Sequence, residues 1–107
     1  MLLCGLGLCW SAVSMVHARI LLPEHLPATV RNGVCTTRAW PQDIHSGSPM
    51  FVTYADGSCY RVVCDAGKRR VSHTIEKQCQ IFNDDPLCFY EDGELEDTCC
   101  DLAMVCE

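Results

Sequence analysis

Asp, Glu, Lys and Arg are absent from Met1 to Ala18, and no apolar run like Leu2–Trp10 recurs further along the chain. Such a run is too short to cross a bilayer, which takes about 20 apolar residues. Met1 to Ala18 reads instead as a secretory signal peptide, with Val16 and Ala18 at the small-residue positions before a cleavage site. The expectation is a cut between Ala18 and Arg19 and a soluble, secreted, extracellular product with no membrane association. Basic side chains are also scarce, with 8 Lys and Arg against 14 Asp and Glu and a formal net charge of −6. Nucleic acid is disfavoured as a partner, because phosphate binding needs a basic face. Asn32 and Asn83 both lack Ser or Thr two residues on, so no acceptor site for N-linked glycan exists. There is no internal repeat and no low-complexity segment.

Cysteine is abundant. Removing the leader removes Cys4 and Cys9 and leaves Cys35, Cys59, Cys64, Cys79, Cys88, Cys99, Cys100 and Cys106. That number is even, and in an oxidising compartment it implies a disulfide framework. Zinc sites usually present close Cys pairs with matching pairs or His downstream; only Cys59 and Cys64 approach that spacing here, so zinc is disfavoured. A remaining chain of about 90 residues makes one domain that buries too little surface for ordinary stability. Cross-links worth about 2 to 4 kcal/mol each make up the difference. The fold class expected is therefore a small disulfide-rich all-β domain.

Residues 19 to 34 contain Pro23, Pro27 and Gly33 without apolar periodicity, which reads as a mobile arm ahead of a single domain from Cys35 to Glu107. Trp40 to Pro49 reads as a loop, since Pro41 and Pro49 oppose helix and central strand. Met50–Tyr54 and Cys59–Cys64 are rich in aromatic and β-branched residues across Ala55-Asp56-Gly57-Ser58, a hairpin signal. Asp65–Lys68 supplies a second turn, and Arg70–Ile75 alternates as a half-buried strand does. The pattern predicts a three-stranded antiparallel meander. Beyond Cys79 the periodicity fades into loops tied by bridges, with a helical turn expected somewhere between Leu95 and Cys106.

Charge is unevenly spread. Lys68, Arg69 and Arg70 form a basic run, whereas Asp84, Asp85, Glu91, Asp92, Glu94, Glu96, Asp97 and Asp101 crowd the C-terminal third. Such runs are commonly solvated faces. The sharper alternative is an acidic surface that steers a basic partner. Catalytic chemistry finds no constellation: His25, His45 and His73 lack ligand-spaced neighbours and take surface or strand-packing roles. Ser46 and Ser48 beside His45 lack a shaped nucleophile turn. Asp84, Asp85, Glu91 and Asp92 lack the spacing of a calcium loop. No cofactor and no enzymatic activity are expected.

Cys99 and Cys100 are adjacent, so each is expected to reach a different partner. Eight cysteines still allow about 105 pairings. The ordered set Asp56-Gly57-Ser58-Cys59-Tyr60-Arg61-Val62-Val63-Cys64, then Cys79, Cys88, Cys99-Cys100 and Cys106, resembles the single-domain von Willebrand factor type C family of arthropods. Among these it is most similar to the tick salivary proteins known as the 8.9-kDa family, and the resemblance covers Cys35 to Cys106. A full type C domain carries ten cysteines; here Val62 stands where the middle cysteine of a Cys-x2-Cys-x-Cys cluster would be, and its partner is missing as well. The resemblance implies the pairs Cys35 with Cys64, Cys59 with Cys99, Cys79 with Cys100, and Cys88 with Cys106.

Some tick salivary proteins of this kind inhibit complement, and the resemblance implies a monomeric ligand that blocks a host extracellular defence protein, a complement component first. Loops ordered in advance by cross-links suit that role. Exposed aromatics and arginines dominate interfaces, which makes Arg38, Trp40, Phe51, Tyr54, Tyr60 and Arg61 the candidate contacts; Trp40 and Tyr60 serve equally well as core. Three alternatives stay open: a chemokine or cytokine trap using the acidic third, a serine-protease inhibitor presenting Arg38 or the Lys68–Arg70 run, and an endogenous immune signalling peptide.

Overall fold

The computed structural model describes residues 22–107; the expected signal peptide, Met1 to Ala18, and the first residues of the expected arm, Arg19 to Leu21, lie outside the described residues. Among the described residues the regular structure is nine short β-strands and a single 3-10 turn. Strands β5 (Met50–Thr53), β6 (Ser58–Asp65) and β7 (Arg70–Gln78) form the expected antiparallel meander. Its first turn is set by Asp56, whose Oδ1 accepts from the Ser58 amide at 2.9 Å and the Ser58 hydroxyl at 2.6 Å. Gly57 follows at φ +91°, a conformation that costs glycine little. The second turn is a 3-10 turn over Ala66–Lys68, and its left-handed residue is Arg69 at φ 53°.

The arm is not separate from this sheet. Strand β1 (His25–Pro27) pairs antiparallel with β7, Leu26 opposite Val71, and gives a four-stranded sheet of order β1-β7-β6-β5. Strands β2 (Thr29–Arg31) and β3 (Val34–Thr36) then close a hairpin through Asn32 and Gly33, both at positive φ. That Asn-Gly dipeptide is a strong turn signal, and it overrides the helix- and strand-breaking effect of the flanking prolines. The expected Trp40–Pro49 loop is likewise corrected: Ile44–His45 is a short strand, β4, that pairs with Val34 and Cys35. The prolines fall outside its two residues, so no ladder donor is lost.

The core lies between the inner face of the four-stranded sheet and the β2-β3-β4 sheet. Val62, Cys64 and Val71 on one side meet Cys35, Trp40 and Ile44 on the other, with Val52 and Leu95 completing the buried cluster. Alternation on β6 decides the faces: Val62 is fully buried while its neighbour Arg61 is exposed. Each such aliphatic side chain contributes about 1.5–3 kcal/mol by burial, and only a handful are available. The Cys35–Cys64 disulfide crosses this same layer and staples the two sheets together.

The C-terminal part departs from expectation. No helical turn forms between Leu95 and Cys106; Glu96 instead bridges Phe51 on the free edge of β5, each amide donating to the other's carbonyl at 2.8 Å. This contact shields an edge strand that would otherwise be open to foreign pairing. Strands β8 (Cys88–Tyr90) and β9 (Met104–Cys106) then form a two-stranded antiparallel sheet of their own.

Candidate partner-binding surface

Four disulfides fix the C-terminal segment and the sheets: Cys35–Cys64, Cys59–Cys99, Cys79–Cys100 and Cys88–Cys106. These are the pairs that the type C resemblance implies. Cys99 and Cys100 do reach different partners, Cys59 within β6 and Cys79 just past the end of β7, with Cys100 at φ 74°. The Cys100 amide also donates to Thr53 Oγ1 at 2.9 Å, so the knot is seated against β5 by a hydrogen bond as well as by sulfur.

The six candidate contact residues do not form one site. Trp40 is 8% exposed and belongs to the core. Tyr54 and Tyr60 are half-buried and gather around His73, with Trp40 on a further side. Tyr60 stacks on the His73 ring at 4.2 Å between centroids, and Tyr54 Oη lies 2.9 Å from His73 Nε2. The His73 amide donates to the Glu24 carbonyl at 2.7 Å, which ties the arm to this cluster. Burial holds the His73 imidazole below its ordinary value, while the Leu22 and Pro23 carbonyls pull the other way. His73 is thus a strand-packing histidine, neutral at physiological pH.

Phe51 and Arg61 sit directly opposite each other on β5 and β6, on the outer face of the sheet. Thr74 faces Arg61 from β7; Arg61 is exposed, and Phe51 and Thr74 are half-buried. Arg38 is exposed elsewhere, at the rim of an open groove of about 650 Å³ between the arm and the 36–39 segment. Leu22, Leu26, Ala28 and Ala39 line the groove and continue into the core, so its walls are largely the arm's own packing surface.

Among the described residues no group of three or more His, Cys, Asp or Glu side chains is placed to hold a metal ion. The acidic residues after Asp84 instead serve local structure: Asp85 Oδ1 accepts from the Leu87 amide at 2.9 Å, and Asp92 Oδ1 from the Ala55 amide at 2.8 Å. Glu96 is held above the usual carboxylate range, first by loss of hydration and then by the negative charges of Asp101, Glu94 and Asp97 and a hydrogen bond with Asp101. Among the described residues no helix is long and apolar enough to cross a membrane.

The structure adds a set of residues that sequence reasoning missed. Phe82 (73% exposed), Leu87 (57%) and Phe89 (45%) project from the C-terminal region, with Ile75 and Met104 also exposed. The signal was present as apolar residues spaced among acids, but a segment without periodicity reads as loop. No family model, no curated protein and no solved structure matches the chain. Architecture and cross-links define the class: a small, disulfide-rich, all-β protein.

Proposed function

We propose that the protein is a secreted binding module that acts by occupying a host extracellular defence protein, a complement component first, and carries out no catalysis itself. The observation that carries this reading is the cysteine framework, whose four pairs coincide with those the tick salivary type C resemblance implies. The physical support is preorganisation, because a surface held by covalent links loses little further entropy on binding. Of the candidate contacts, Phe51 and Arg61 remain side by side on the outer face, Arg61 exposed and Phe51 half-buried. Trp40 drops out as core, and Tyr54 and Tyr60 are half-buried in ring contact with His73.

The test is lysis of antibody-coated erythrocytes by serum, with the oxidised protein, a reduced and alkylated control, and separate binding assays on immobilised complement components. Inhibition by the oxidised form alone, with binding to one component, is the expected result. Phe51→Ser with Arg61→Glu should weaken that binding at least tenfold, about 1.4 kcal/mol, as loss of an aromatic and an arginine anchor does. Absence of both inhibition and binding would overturn the reading.

A further inference from the structure

The C-terminal hairpin carries an apolar face that the fold does not use. In the β8–β9 register Cys88 pairs with Cys106, Phe89 with Val105 and Tyr90 with Met104. The Glu107 amide donates to the Leu87 carbonyl at 2.9 Å, which extends the ladder by one pair. Since side chains alternate along a strand, Leu87, Phe89 and Val105 share one face, and the Cys88–Cys106 link lies on the other. None of the three belongs to the buried core. Small soluble proteins rarely leave contiguous apolar side chains uncovered without a binding purpose.

The face is also held in shape. Asn83 Nδ2 donates to the Cys88 carbonyl at 2.6 Å, and the Asp85 and Leu87 amides donate to the side chains of Asn83 and Asp85. The Tyr90 hydroxyl donates to the Phe82 carbonyl at 2.9 Å. These bonds, with the disulfide, fix the 82–90 loop, so Leu87 and Phe89 are presented in one arrangement.

Charge selects the occupant. The eight acidic residues from Asp84 to Asp101, with Glu107, share residues 79–107 with no Lys, Arg or His at all. The described residues before Cys79 have the opposite balance, with Arg31, Arg38, Arg61, Lys68, Arg69, Arg70 and Lys77 against Glu24, Asp43, Asp56, Asp65 and Glu76. Asp84, Asp85 and Glu91 flank β8 and Glu107 follows β9, while Asp92, Glu94 and Glu96 bond to Ala55, Gln42 and Phe51; the hairpin's own rim is thus acidic, which repels an anionic lipid surface or nucleic acid and draws a cationic protein segment. We infer that the Leu87–Phe89–Val105 face is a docking surface for a basic, amphipathic protein segment, its apolar side chains seated on the face and its Lys or Arg residues on the acidic rim. This surface is separate from Phe51 and Arg61, so the inference stands whether or not a complement component is the target.

The experiment uses the full oxidised chain and three labelled peptides of equal length: alternating Leu and Lys, all Lys, and alternating Leu and Glu. Binding is read by fluorescence anisotropy and mapped by amide chemical shifts. The Leu–Lys peptide should bind at least tenfold more tightly than the all-Lys peptide, the Leu–Glu peptide should not bind, and shifts should centre on residues 82–90 and 104–107. Leu87→Ser with Phe89→Ser should weaken the Leu–Lys complex at least tenfold while the amide spectrum of β5 to β7 is retained. Asp84→Asn with Glu91→Gln, which removes two charges from outside the turn bonds, should reduce the salt dependence of binding. Equal binding of the two cationic peptides would overturn the inference, because charge alone would then suffice. Shifts centred on the outer face of β5–β7 would overturn it too, as would a self-associated species in sedimentation whose dissociation by Leu87→Ser shows that a second copy occupies the face.

Discussion

Two disulfides of nearly equal entropic worth should have very different effects when removed, because they lie in different parts of the molecule. Cys35–Cys64 closes a separation of 29 residues and Cys88–Cys106 one of 18. On the loop-closure relation these restrict the unfolded chain by about 3.6 and about 3.2 kcal/mol. Replacing Cys35 and Cys64 by Ser adds a second cost, since both positions are nearly solvent-free at 0% and 4% exposure. Two hydroxyls placed between the sheets without partners cost about 1–3 kcal/mol each. The sum is at least about 5 kcal/mol, which for a domain of this size is roughly 20 to 40 °C of melting temperature. Replacing Cys88 and Cys106 by Ser instead releases a hairpin of three-residue strands, and so small a hairpin is marginal alone. It should open locally, while the Cys59–Cys99 and Cys79–Cys100 links keep the chain anchored to the main sheet. Hydrogen exchange separates the two cases. In Cys88→Ser/Cys106→Ser the β8 and β9 amides should lose protection, whereas protection at Val62 and Val71 should change less than tenfold. Equal loss at Val62 and Val71 in both variants would refute the assignment of the hairpin to a separately opening unit.

Other expectations follow from single positions. Gly57→Ala should destabilise by more than about 2 kcal/mol, because a Cβ there would meet the Cys79 carbonyl oxygen at 2.6 Å as well as being strained at φ +91°; Gly47→Ala, at φ +83° but with open space around it, should cost only about 1 kcal/mol, both read from denaturant midpoints. Ile44→Ala removes a fully buried side chain from between the sheets and should cost about 2–5 kcal/mol without changing the denaturant slope. The imidazole of His73 is held below its ordinary value of 6.5, so the stability it contributes is complete above that value and is lost as pH falls through the lower folded-state value. His73→Phe should flatten that acid-side fall in melting temperature. Glu96 acts in the opposite sense: its raised carboxyl contributes stability that is full below 4.5 and lost as pH rises through the folded-state value, and Glu96→Gln should remove that loss.

The meander was legible because its strands are long enough to show a pattern. Cys59–Cys64 and Arg70–Ile75 alternate over several residues, and Asp56-Gly57 marks the turn between β5 and β6. The Asn32-Gly33 hairpin was equally marked by its dipeptide, yet Pro23 and Pro27 dominated the reading of that stretch. β8 and β9 were illegible for a physical reason. Each has three residues, fewer than a period-2 pattern needs, and they lie 13 residues apart, so the contact that joins them is Cys88–Cys106 and not a local turn. The same reason hid the candidate surface, since the shared face of Leu87, Phe89 and Val105 exists only once that register is known. Trp40 and Arg61 show the converse limit. Residue type nominated both as contacts, but only the packing of β3 and β4 against the sheet buries one and leaves the other in solvent.

The division of labour between hydrocarbon and sulfur explains why one end of the molecule can be so charged. Between the two sheets, buried Val, Ile and Trp side chains and one disulfide act together, and there the sequence is constrained by volume. After Cys79 almost nothing but cysteine and Leu95 is buried, and three disulfides take over the role of a core. Nine carboxylates can be concentrated there because the links that hold the segment do not weaken when like charges repel. A noncovalent segment with that charge would expand, as self-repulsion opposes compaction. The Glu96 carboxyl, raised first by loss of hydration and then by the charges of Asp101, Glu94 and Asp97, carries part of that repulsion next to a bridge to Phe51 that the Cys59–Cys99 and Cys79–Cys100 links hold closed. It follows that mild reduction at neutral pH should release the C-terminal segment before the two-sheet body, and that lowering the pH toward the carboxylate range should delay that release.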